Sequence, residues 1–97
     1  MKVKELREGM RKVNIDGTIK DLSEPKTVNL KSGERAKIVE AKFEDDSGSI
    51  NLTLWDERGE EVKEGLKVRI ENGYVNSFRG ELRLNVGKYG KITILEK

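Results

Sequence analysis

Cysteine and histidine are both absent from this 97-residue chain, and proline occurs once. Without cysteine there are no disulfides and no thiol chemistry. Without either residue, the usual zinc ligand sets and the histidine-based catalytic triads are excluded. Carboxylates are plentiful, but none shows the spacing of a recognised acid–base pair. Nothing points to an enzyme, and no cofactor is expected. There is no run of about 18 apolar residues of the kind a membrane helix needs, so no membrane partner is expected. The opening MKVKELREGM has no apolar core of the signal-peptide type, and the expected location is cytoplasmic. Aromatic residues are scarce as well: one Trp, two Tyr and two Phe.

What is present is charge and alternation. Charged residues make up 39% of the chain and hydrophobic residues 34%. Regular apolar alternation at this charge level argues against disorder, and the length suits one domain over residues 1–97. The net charge is only +2, yet it is unevenly spread. Residues 25–42 sum to +3 and residues 67–91 to +4, while residues 56–65 sum to −3. Such segregation can leave a basic groove on a nearly neutral domain, although for any single Lys a solvated surface position is the default reading.

The alternation predicts about five short strands. Residues 11–22 form the first, with Val13, Ile15 and Ile19 inward and Gly17 at a bend or close backbone approach. Residues 23–35 form a long connection, read as a flexible hairpin with Val28 near its base. Residues 36–45 and 49–55 form a hairpin around Asp46-Ser47-Gly48, with Val39, Phe43, Ile50, Leu52 and Leu54 inward. Residues 56–66 have room for one short helical turn. Residues 67–78 form the fourth strand, whose apolar phase slips at Asn72-Gly73, the signature of a β-bulge. Residues 81–95 form the fifth, with Leu82, Leu84 and Val86 inward. Short curved strands with one apolar face, and no connection long enough for a crossover helix, predict a small all-β barrel.

The polar parity carries the chemistry. Trp55 falls on the polar side of SINLTLW, residues 49–55. After the slip at Gly73, Val75 points inward and Tyr74 and Phe78 point outward. Three of five aromatics at outward parity are hard to ascribe to folding. Flat rings interleaved with Arg and Lys suit single-stranded nucleic acid, whose bases stack and whose phosphates take cations. The residues alone leave a second reading open: a lone Trp at a strand end also caps barrels, and Tyr74 beside a bulge suits a hydrogen-bonded structural role.

Three stretches carry a family likeness: FEDDSGSINLTLW (43–55), VKEGLKVRIENGYVNSFRGELRLNVG (62–87) and VNLKSGERAKIVEA (28–41). Their order and spacing over residues 6–92 resemble the OB-fold single-stranded-DNA-binding domains of archaea, including archaeal replication protein A. The resemblance implies a five-stranded Greek-key barrel and base stacking on Trp55, Tyr74 and Phe78. Tyrosine stands at 74 where some relatives carry tryptophan, which offers less stacking area. Arg69, Arg79, Arg83, Lys37 and Lys42 are the candidates for phosphate contact, and Val28 for a loop that closes over the strand. The expected activity is sequence-tolerant binding of single-stranded DNA in replication, recombination or repair, at the nucleoid. Other OB domains or replication and repair proteins are the expected partners. The chain lacks the Gly/Arg-rich or acidic tail of single-domain relatives, so it reads as one module of a longer protein or a stand-alone homologue. The alternatives are an RNA-binding OB domain and a protein-interaction OB module of a multi-subunit complex.

Overall fold

The computed structural model describes residues 1–96. Among them are seven strands: β1 (Val13–Lys20), β2 (Lys26–Asn29), β3 (Arg35–Asp45), β4 (Gly48–Trp55), β5 (Lys67–Phe78), β6 (Glu81–Val86) and β7 (Lys91–Glu96). Two short 3-10 segments, Val3–Glu5 and Asp56–Glu61, complete the elements. No helix among the described residues is long and apolar enough to cross a membrane.

Strand pairing closes a ring. β1 pairs antiparallel with β3 and β5, β3 with β4, and β5 with β6, while β4 and β6 run parallel. Five strands therefore make a closed Greek-key barrel: the alternation predicts a small all-β barrel, and the resemblance predicts the OB-fold. One element differs from expectation. The predicted fifth strand, residues 81–95, is broken at Gly87–Gly90 into β6 and β7, and β7 folds back onto the first half of β5. The long connection holds β2, which pairs with the start of β3 and sets Val28 opposite Ala36. Gly87 and Gly90 interrupt the alternation where the strand breaks, but parity survives a turn of even length, so β7 keeps the phase of β6; the hairpin read for residues 23–35 is present as β2 paired with β3.

The core follows the parity. Every residue expected inside is buried except Leu82, which is half-buried and packs against the cluster. Val3, Leu6, Val62 and Ile92 join them. Gly17 lies where β1 crosses Phe43: a Cβ there would sit 2.6 Å from the Phe43 ring. The bulge is also present. Val13 pairs with Gly73 and Ile15 with Ile70, so β5 carries one residue more than β1. Asn72 takes the left-handed conformation, with φ at 58°. Its backbone N–H is held by Asn14 Oδ1 at 3.0 Å. Beyond this point the outward residues of β5 become Tyr74, Asn76 and Phe78.

Candidate nucleic-acid interface

Directly paired residues on neighbouring strands point to the same face, so the register assembles the site row by row. One row runs Glu40–Thr53–Asn85–Tyr74 across β3, β4, β6 and β5. The next runs Lys42–Asn51–Arg83–Asn76, and Phe78 pairs with Glu81 one step further along. At the other end Trp55 pairs with Ile38, which in turn pairs with Lys26 of β2. Trp55, Tyr74, Phe78, Arg83 and Lys42 therefore share one continuous face. Phe78 lies four residues from Tyr74 along β5, about 13 Å at ordinary strand rise.

Within that face the polar groups are tied together. Trp55 Nε1 donates to Asn85 Oδ1 at 3.2 Å, and Asn85 Nδ2 donates to Asn76 Oδ1 at 3.1 Å. These hydrogen bonds orient the indole toward Asn85. Thr53 and Asn85 are buried although they face outward, because the larger side chains around them exclude water. Phe78 remains 54% exposed and Tyr74 37%. Burial pushes the Tyr74 phenol pKa upward.

The electrostatics centre on Phe78 and Glu40. The guanidinium carbons of Arg79 and Arg83 lie 5.2 Å and 5.1 Å from the Phe78 ring centroid, within cation–π range. Arg83 also donates from Nη1 to Glu40 Oε2 at 3.0 Å, while its Nε is buried without a partner among the described residues. Lys26 binds the other carboxylate oxygen of Glu40. The Lys26 hydrogen bond holds the Glu40 pKa below its ordinary value; burial opposes it, and the Arg83 hydrogen bond adds to it. No cluster of three or more side chains fit to hold a metal ion occurs among the described residues.

The remaining candidates fall differently. Arg79 sits in the β5–β6 turn, in the left-handed region at φ 53°, at the edge of the face. Val28 is half-buried on β2, on the same side of the β2–β3 arm as Ile38. Lys37 is exposed but shares the parity of Val39, so it projects from the opposite side of the arm. Arg69 precedes the bulge, pairs with Asp16 of β1 and Thr93 of β7, and is held by the Asp16 carboxylate at 2.8 Å and 3.2 Å. The barrel register thus does not bring Lys37 or Arg69 to Trp55. It adds Lys26, Ile38, Glu40, Asn76 and Asn85. Asn85 lies on the outward parity of residues 81–86, whereas Glu40 and Lys26 gain meaning only through their cross-strand partners.

A five-stranded Greek-key barrel with an aromatic and basic face on β3, β4, β6 and β5 defines an OB-fold protein. The family described as "Single-stranded DNA binding protein Ssb-like, OB fold" matches residues 9–94, and the chain belongs to it. It is 37% identical over 91 residues to the single-stranded DNA binding protein Ssb of Saccharolobus solfataricus, a match that covers 94% of this chain and 61% of that protein. It is 35% identical over 97 aligned residues to Replication factor A of Methanothermobacter thermautotrophicus, covering 94% of this chain and 12% of that protein. The chain thus spans less than two thirds of both curated relatives. Among solved structures, the second OB-fold domain of replication protein A from Methanococcus maripaludis superposes with a TM-score of 0.83 at 30% identity, covering 100% of this chain and 95% of that one.

Proposed function

We propose that this domain binds single-stranded DNA with little sequence preference across the β3–β4–β6–β5 face. Bases stack on Trp55, Tyr74 and Phe78, and phosphates meet Arg79, Arg83, Lys42 and Lys26. Val28 and Ile38 of the β2–β3 arm close over the strand next to Trp55. The observation that carries this reading is the shared register of three aromatics on one outward face, with two guanidinium groups against Phe78. Stacking reads the π-face of any base, and cations read phosphates, so neither contact selects a sequence. The names of the relatives, a single-stranded DNA binding protein and a replication factor A, support the same substrate and a role in replication, recombination or repair. The M. maripaludis relative is the second OB-fold domain of its protein, which supports reading residues 1–97 as one module working beside other OB domains.

The deciding experiment titrates Trp55 fluorescence with thymidine oligomers at several salt concentrations. Quenching is expected, with log affinity falling against log salt by about 0.7 per phosphate contact. Unchanged fluorescence together with no binding at low salt would overturn the proposal. A matched uridine oligomer tests the RNA alternative, because stacking alone is indifferent to the 2′-hydroxyl.

A further inference from the structure

We propose that the bound DNA strand continues past Tyr74 into a second, basic groove, where Tyr89 stacks an additional base and Arg11, Lys12 and Lys88 meet its phosphates. This rests on the single-stranded-DNA reading above and extends its site.

The groove has a volume of about 750 Å³ and lies between the segment before β1, the bulged part of β5 and the β6–β7 loop. Tyr74 and Asn76 line it, and both also belong to the Trp55 face. The two surfaces are therefore continuous. Among the described residues lining the groove are three cations, Arg11, Lys12 and Lys88, and no carboxylate side chain. An occupant matched to it carries negative charge and flat apolar surfaces, which is the chemistry of an unpaired strand.

Tyr89 is the fifth aromatic residue and the one that folding uses least, at 81% exposure. Its loop is nonetheless held firmly. Gly90 N–H donates to the Gly87 carbonyl at 3.0 Å. Arg58 donates to the carbonyls of Lys88 and Gly90, both at 3.1 Å, and Asn72 Nδ2 donates to the Tyr89 carbonyl at 3.0 Å. Lys88 Nζ lies 5.7 Å from the Tyr89 ring centroid. The opposite wall is fixed too: Gly9 N–H donates to the Val75 carbonyl and Val75 N–H to the Met10 carbonyl, each at 2.9 Å. That anchoring sets Arg11 and Lys12 beside Tyr74. An exposed ring on a pre-ordered loop loses little freedom on binding, which favours affinity.

The test uses Trp55 quenching at low salt with a short oligomer of about 4 thymidines and a long one of about 15, spanning the site sizes of single OB folds. The short oligomer is covered by the Trp55 face alone. Tyr89→Ala is expected to weaken the long oligomer about tenfold, one stacked base, and to leave the short one unchanged. Tyr89→Phe keeps a stacking ring and should restore the long-oligomer affinity. The double variant Arg11→Gln/Lys88→Gln should reduce the salt slope for the long oligomer by about 1.4, two phosphate contacts. Wild-type affinity for the long oligomer in Tyr89→Ala would overturn the extension, as would equal weakening of both lengths. If the wild-type chain binds neither oligomer, the single-stranded-DNA reading itself has failed, and the two failures remain distinct.

Discussion

Trp55 combines two duties that single substitutions can separate. Its ring faces outward, where the proposed base stacking would occur, while its Nε1 completes the hydrogen-bond chain through Asn85 to Asn76. Trp55→Ala should weaken oligonucleotide binding by about 1–3 kcal/mol in a domain that stays folded. Trp55→Phe should keep much of the affinity but lower stability by about 1 kcal/mol, read as a reduced urea midpoint. Glu40 makes the opposite prediction. It pairs with Arg83 and Lys26, the cations proposed to meet phosphates, and adds negative charge to the face. Glu40→Gln should therefore tighten binding a few-fold at low salt, about 1 kcal/mol or less, with the gain fading as salt screens it. Weaker binding by Glu40→Gln would mean that the carboxylate positions Arg83 rather than competing for it. At this scale the sequence was informative about faces and silent about partners. Parity placed Trp55, Tyr74 and Phe78 outward, but Lys37 and Arg69 were chosen by charge alone. Lys37 shares the parity of the core residue Val39, and Arg69 lies before the bulge, opposite β1 and β7.

The strands themselves were legible where local pattern and pairing agree. The β3–β4 hairpin, the bulge at Asn72-Gly73 and the close approach at Gly17 all follow from apolar phase and glycine position. The hairpin around Val28 was legible from its turn signals, but the separate β7 was not, since it is defined by the strand it joins rather than by its own composition. Gly17 provides a direct check at this level. A Cβ there would meet the Phe43 ring at 2.6 Å and the Glu44 backbone carbonyl at 2.8 Å. Gly17→Ala should destabilise the barrel by about 1–3 kcal/mol, measured as a lower urea midpoint at unchanged m-value. No loss would show that β1 can shift outward without cost.

Across the whole molecule, the carboxylates link folding to pH. Asp16 is held below its ordinary 3.8 by the hydrogen bond from Arg69 and by that residue's charge, against opposing burial. Glu40 is held below its ordinary 4.5 by Lys26 and Arg83. For Asp45, burial pushes upward, but hydrogen bonds from Ser47 and from the Val3 N–H outweigh it, leaving the pKa below 3.8. Each group is easier to protonate in the unfolded chain than in the native one. Their contribution to stability is therefore complete above about pH 5 and declines as the pH falls through the ordinary carboxylate range toward the lower native values. Urea midpoints should drop between about pH 5 and pH 3; a flat profile would contradict these pairings.

The parallel β4–β6 contact has a consequence for how the barrel assembles. β3–β4 and β5–β6 are local hairpins, whereas β4 meets β6 only after the intervening residues 56–80 have travelled round the barrel. Loop closure of that kind is entropically costly and comes late in folding. The aromatic face straddles this same seam, with Trp55 on one side and Asn85, Arg83 and Tyr74 on the other. A ligand lying across it would bridge a long-range joint, acting as a clasp that is absent from any half-assembled chain. Saturating oligonucleotide should therefore slow amide hydrogen exchange most at the β4–β6 junction, and raise global stability by the logarithm of its concentration over its dissociation constant.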